Sequence, residues 1–271
     1  MQGWKHLIPT DTKVAYLQSL LGVGFNTLDC GSFVSPKAIT QMADTAEVLA
    51  QLDLSQTKTK LLTIVANLRG AEEAVGFEQV SYLGFPFSIS PTFQMRNANS
   101  TIEVSLERVE DIQELCIKNN KQLVVYISMG FGNPYGDVYN EELVMEWVSK
   151  ITGLGVGTVS VADTVGLASA AQVKRVMEKL VPMYPGIEIG VHLHAAPGTW
   201  QQKVDAALAA GCTRFDGALK GIGGCPMAND DLVGNLDTEQ MIPLFEKLGI
   251  LGKLDKKALL QASAMAASIF I

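Results

Sequence analysis

Two of the chain's three histidines, His192 and His194, stand two positions apart in Gly190-Val-His-Leu-His194. Residues i and i+2 of a strand point to the same face, so the two imidazoles converge. Neutral imidazoles with nearby oxygen ligands suit a divalent cation, Mg²⁺, Mn²⁺ or Zn²⁺. The alternative for an H-x-H pair is two hydrogen-bonded core histidines. Carboxylates close other apolar runs: Asp29 ends Asn26-Thr-Leu-Asp29, and Asp163 ends Thr158-Val-Ser-Val-Ala-Asp163. Each is either a base, metal ligand or orienting group, or the N-cap of the next helix.

Two further segments carry candidate groups. Cys225 lies in Gly221-Ile-Gly-Gly-Cys-Pro226. The glycines permit unusual backbone angles, so the thiol is either an acid/base group on a closing loop or part of a plain turn. Asn235, in Gly234-Asn-Leu236, offers an amide oxygen that could complete a metal shell. Gly130-Phe-Gly-Asn-Pro-Tyr135 is a pocket-shaping turn, and it is neither a G-x-G-x-x-G fingerprint nor a Walker loop. The chain has no G-x-S-x-G elbow of a serine hydrolase.

The elements that must position these groups alternate in type. Apolar runs near 26–29, 61–66, 79–84, 122–128, 157–161, 187–192 and 213–216 read as parallel strands buried on both faces. Between them lie helical stripes: Val14, Leu17 and Leu21; Leu143, Val144, Trp147, Val148 and Ile151; Val173, Val176, Met177, Leu180 and Val181. Strand–helix alternation over 271 residues, without a linker, predicts one α/β domain, residues 1–271, folded as a (β/α)8 TIM barrel. The histidine pair then lies at the C-terminal face, where barrel active sites are found. Only seven strands are counted, and a helix comes first, from about residue 11. The expectation is a barrel missing strand 1, with that strand lying before Met1.

Hydrophobic residues make up 48% of the chain and charged residues 18%, as in an ordered globular protein. A net charge of −7 argues against a nucleic-acid partner. Cys30, Cys116, Cys212 and Cys225 show no C-x-x-C spacing and read as reduced thiols. No apolar run is long enough to span a bilayer and no secretory pattern opens the chain, so the expected setting is the cytoplasm, without a membrane partner.

Several segments together resemble 3-hydroxy-3-methylglutaryl-CoA lyases of the DRE-TIM metallolyase superfamily. They are Gly31-Ser-Phe-Val-Ser-Pro-Lys37 with Gln41-Met42, Asn67-Leu-Arg-Gly70, Gly132-Asn-Pro-Tyr135, Asp163-Thr-Val-Gly166, Val191-His-Leu-His194, Gly223-Gly-Cys-Pro226 and Gly234-Asn-Leu236. They are collinear over nearly the whole chain. The resemblance implies a barrel that binds a divalent cation and cleaves an acyl-CoA to acetyl-CoA and acetoacetate. It makes His192, His194 and Asn235 metal ligands and Cys225 the active-site loop cysteine. Asp163 matches an active-site aspartate; Ser32, Ser128 and Thr164 match polar pocket positions; Lys5 corresponds to a basic residue near the CoA phosphates. Such lyases are commonly homodimers.

Three departures from the pattern stand out. The family's Arg-Asp pair, on its first strand, would precede Met1. Asp29 stands where the lyases place a glutamate. Ala195-Ala-Pro-Gly198 replaces the family's Asp-Thr-Tyr-Gly after the second histidine. These leave two alternatives: a related aldolase or Claisen-type acyltransferase acting on a 2-oxo acid, and a catalytically inert homologue.

Overall fold

In the computed structural model, which describes residues 1–196, 198–223 and 233–270, the alternation expected from the sequence is present. Helix α1 (Thr10–Leu21) comes first, followed by β1 (Thr27–Ser32), α2 (Thr45–Gln51), β2 (Lys60–Ile64), α3 (Leu68–Val75) and β3 (Val80–Ser88). Then come α4 (Pro91–Ala98), α5 (Ile102–Lys118), β4 (Gln122–Ser128), α6 (Glu141–Gly153), β5 (Thr158–Asp163) and α7 (Ala170–Met183). The chain continues through β6 (Glu188–Leu193), α8 (Trp200–Ala209), β7 (Arg214–Phe215), α9 (Thr238–Lys247) and α10 (Lys256–Ile269). The seven strands pair in sequence order and all in parallel. This is the sheet of a (β/α)8 barrel with one strand missing, as the strand count predicts.

Most apolar burial lies between the sheet and its helices. Leu61, Leu83, Val125 and Val159 on the outward sheet face meet Val109 and Ile112 of α5, Val148 of α6 and Val176 of α7. The opposite sheet face holds a smaller cluster, Leu62, Tyr82 and Val124, flanked by Ile64 and Tyr126. Register puts Asp29 of β1 on this inner face beside Leu62, and Ser128 on it at the C-terminal end of β4. The interior therefore changes from apolar to polar towards the strands' C-terminal ends.

Helix α3 approaches the β1–α2 loop so closely that a Cβ on Gly70 would lie 2.3 Å from the Phe33 carbonyl oxygen. Helix propensity alone favours alanine over glycine by about 1 kcal/mol. Here the clash is with backbone, which cannot rotate away. Gly70→Ala should therefore destabilise the fold by roughly 1–3 kcal/mol, read as a lower thermal midpoint; a raised midpoint would refute it.

Candidate metal centre at the barrel mouth

Gly190 and His192 of β6, and His194 directly after it, lie on the inner face, while Ile189, Val191 and Leu193 are buried in the outer core. The imidazole centroids lie 5.3 Å apart. Each ring is fixed through Nδ1. His192 Nδ1 lies 3.2 Å from Asp216 Oδ2, and His194 Nδ1 lies 2.9 Å from the Val233 carbonyl oxygen. A carbonyl only accepts, so His194 carries its proton on Nδ1. The Asp216 carboxylate imposes the same tautomer on His192. Both Nε2 lone pairs are thereby left available, which is the arrangement by which a carboxylate or carbonyl prepares imidazole for a cation.

Asp216 follows directly on β7 and belongs to a charged chain inside the barrel. Ser160 Oγ donates to its Oδ2 at 3.3 Å, and Arg214 Nε lies 4.0 Å from its Oδ1. Arg214 Nη1 donates to Glu188 at 2.7 Å, while its buried Nε has no hydrogen-bond partner among the described residues. The arginine fits because position 190 is glycine: a Cβ there would lie 2.7 Å from Arg214 Cδ. Burial pushes the Asp216 carboxyl up, but the hydrogen bond from His192, the Arg214 guanidinium and the Ser160 hydroxyl outweigh it and hold it below the usual range.

Asn235 reaches the same place by an antiparallel bridge to His194, with the Ala195 amide donating to Gly234 at 3.2 Å. Its Nδ2 donates to the Ile222 carbonyl at 3.0 Å, which orients the amide and leaves Oδ1 free of that contact. Gly223, at φ +105°, has no room for a side chain: a Cβ would lie 2.7 Å from Asn235 Nδ2. Two imidazoles and one amide oxygen form a donor set that fits a divalent cation with positions left for substrate or water. Among the described residues no third His, Cys, Asp or Glu side chain joins the pair.

Burial, and then the neighbouring His192, push the His194 imidazole down to about 4. It is therefore neutral in the folded chain, while the unfolded chain takes up a proton below 6.5. Folding stability is then independent of this group above pH 6.5 and falls as pH drops from there towards 4, by about 3 kcal/mol. Thermal melts in EDTA should show wild type losing midpoint more steeply across this window than His194→Gln. Parallel curves would rule the effect out.

The other sequence-derived candidates divide. Asp29 is on the inner face within β1, in register with Leu62, and is exposed. Burial raises its carboxyl, opposed in part by the N-terminal ammonium and the Gly31 amide, and its exposure limits the rise. Ser32 is buried at the end of β1, where its Oγ accepts from the Val34 amide at 3.3 Å and borders a cavity of about 200 Å³ with Phe33, Met42 and Arg69. Ser128 is buried at the end of β4 beside Met129, which sits at φ +59°. Thr164 Oγ1 accepts from the Met129 amide at 2.9 Å and so supports that left-handed residue. Lys5 is exposed, with no hydrogen bond or ion pair among the described residues. Cys225 lies outside the described residues.

Asp163 is not on the inner face. Ser160, three positions earlier, points inward to Asp216, so the period of two turns Asp163 towards the helices. It is 2% exposed and pairs with Lys203 of α8 at 2.7 Å. The Ala168 amide, just before α7, donates to both carboxylate oxygens, at 3.1 and 3.2 Å. Burial raises its carboxyl, and the Lys203 ammonium works against that rise.

Asp216, Arg214 and Lys203 contact the histidine pair or its neighbours and are absent from the sequence-based set. The rule that picks out strand-end carboxylates also applies to Asp216, which closes Thr213-Arg-Phe-Asp216.

A parallel barrel sheet with two imidazoles and an amide gathered towards its C-terminal end is the arrangement of a (β/α)-barrel enzyme site. The chain belongs to the HMGL-like family, whose model matches residues 1–266. It is 31% identical over 264 residues to mitochondrial hydroxymethylglutaryl-CoA lyase of Macaca fascicularis, covering 97% of this chain and 80% of the relative. It is 31% identical to hydroxymethylglutaryl-CoA lyase YngG of Bacillus subtilis, covering 94% and 85%. Among solved structures, an HMG-CoA lyase from Acinetobacter baumannii, in complex with coenzyme A and 3-methylmalate, superposes with a TM-score of 0.91 at 31% identity, covering 99% of this chain and 87% of that one. The chain is thus a carbon–carbon lyase resembling HMG-CoA lyase, in a family of divalent-metal-dependent enzymes. No helix among the described residues is long and apolar enough to cross a membrane.

Proposed function

We propose that the substrate is 3-hydroxy-3-methylglutaryl-CoA, cleaved to acetyl-CoA and acetoacetate. The observation that carries this is the pair of Nδ1-anchored imidazoles beside Asn235 at the barrel mouth, in a chain matched over nearly its whole length by lyases of that name. His192, His194 and Asn235 would hold the cation, Mg²⁺ or Mn²⁺ before Zn²⁺ because oxygen donors must complete the shell. When bound, it supplies Lewis acidity to the substrate's tertiary hydroxyl and an adjacent oxygen. Asp29, on the same face and exposed, takes the hydroxyl proton. Electron flow from that oxygen forms the acetoacetate carbonyl, breaks the carbon–carbon bond and leaves the thioester enolate. Cys225 is the group we assign to protonate the enolate carbon, completing acetyl-CoA. Ser32, Ser128 and Thr164 shape the acyl pocket, and Lys5 meets the CoA phosphates. Asp163 acts by supporting the wall of the site.

The test is acetoacetate release from the thioester with Mg²⁺ or Mn²⁺, assayed beside 2-oxo-acid aldol substrates. Thioester cleavage is expected. Turnover of a 2-oxo acid without thioester cleavage would overturn the proposal in favour of an aldolase or acyltransferase, a reading that Asp29 and Ala195 keep in view. Silence on both would favour an inert homologue. The same proposal makes the chain one cytoplasmic domain that assembles as a homodimer, which light scattering would show as twice the mass.

A further inference from the structure

Lys203 is 4% exposed, and all three of its ammonium hydrogens have an acceptor. Nζ donates to Asp163 Oδ2 at 2.7 Å, to the His194 carbonyl at 2.9 Å and to the Gly166 carbonyl at 3.2 Å. Three elements meet on one cation: the end of β5, the loop after it and the end of β6. Gly166, at φ +75°, packs against Val233 so tightly that a Cβ would lie 2.9 Å from its Cγ1. Val233 is the residue whose carbonyl fixes His194 Nδ1, and the neighbouring Gly234 carbonyl accepts from Ala195. A closed circuit therefore runs from Lys203 through Gly166 and Val233 to the His194 ring, and back from the His194 carbonyl to Lys203.

We infer that Lys203 is a positioning residue for the His194 imidazole, setting its ring orientation and tautomer from the helix layer. This rests on the reading of His194 as a cation ligand only for its consequence; the geometry itself needs no cation. His192 is held independently, through Asp216, and provides an internal reference. The resemblance to the lyases sharpens the point. Their aspartate after the second histidine is Ala195 here, buried and without a polar side chain. Lys203, entering from α8 beyond the same loop, supplies the buried charge at that corner. Asp163 in turn is occupied as the lysine's counter-charge.

The three histidines make the test direct, because ¹⁵N-histidine labelling gives one imidazole pattern each for His6, His192 and His194. Long-range ¹H–¹⁵N spectra of the full chain in EDTA should show His192 and His194 each as a single Nδ1–H tautomer. In Lys203→Met/Asp163→Asn, which removes both buried charges together, His194 should become a mixture of tautomers with His192 unchanged. Lys203→Arg, which keeps a cation beside Asp163 but displaces the donors, should give the same result. A His194 that stays wholly Nδ1–H in a folded variant would overturn the inference, as would equal disturbance of His192. Failure of both variants to melt cooperatively would also overturn it, by making Lys203 a support of the whole fold. Failure of the cation-ligand reading would appear separately, as wild-type His192 and His194 signals that Mn²⁺ does not broaden.

Discussion

His194→Ala is expected to lower the carbon–carbon cleavage rate by about a thousandfold or more, and His192→Ala by a similar factor. Polarisation of the reacting oxygen by a cation contributes several kcal/mol, and each 1.4 kcal/mol is tenfold in rate. On the ligand set proposed above, losing one of two imidazoles removes most of the cation at working concentrations, so the whole of that contribution is exposed. The two substitutions should be strongly non-additive, because either alone disables the same group. Asp216→Asn is milder: the His192 ring loses its charged partner but keeps its place, which costs about 10–100-fold in cation affinity. His6 is exposed and outside this constellation, so His6→Ala should be neutral. Steady-state assays of the purified variants at one Mn²⁺ concentration, just enough to saturate the wild type, decide the matter. A His194→Ala enzyme with a tenth of wild-type activity would remove the histidine pair from the centre of the mechanism.

The strand positions were legible because both-face burial leaves near-continuous apolar runs, as in Gln122–Ser128. The same property hid the side-chain faces. All six residues of Thr158–Asp163 are buried, so no hydrophobic alternation marks which way Asp163 points. A reading from position alone puts it at the mouth with Asp29, whereas the structure turns it to the helices. On β6 the ambiguity was absent, since two histidines of equal parity have to share a face whichever it is. Strand β3 runs on past its expected end near 84 to Ser88, through Phe85-Pro86-Phe87. Proline ordinarily argues against a central strand. Pairing with β2 ends at Gly84, however, so from Phe85 onward β3 is paired only with β4 and the missing amide hydrogen is tolerated.

Lys203 carried a faint signal. It lies four residues before the buried Ala207 and next to Val204, a lysine on the apolar stripe of α8. The usual reading of such a lysine is a stem laid over the core with its charge in water. What the stripe could not reveal is an acidic partner 40 positions earlier in the chain, at the end of a strand. Ion pairs between distant elements leave no periodic trace. A buried pair of this kind is legible only once β5, β6 and α8 are set side by side.

The second large effect follows from that pair. Lys203→Met should destabilise the fold by roughly 3–5 kcal/mol, because it leaves the Asp163 carboxylate buried without its counter-charge. For a chain of this size that is a fall in thermal midpoint on the order of 10 °C. The sign of its pH dependence is fixed by the same physics. Without the ammonium, burial raises the Asp163 carboxyl further above its unfolded value, and a buried carboxylate is costly only while ionised. The deficit should therefore be largest at pH 8 and shrink as pH falls towards 5, where the folded variant takes up a proton. Adding Asp163→Asn should recover part of the loss at pH 8, so that the two substitutions together cost less than Lys203→Met alone. Melts of the wild type, both single variants and the double across pH 5–8 test this. A deficit that grows on acidification would mean that Asp163 is not the charge Lys203 neutralises.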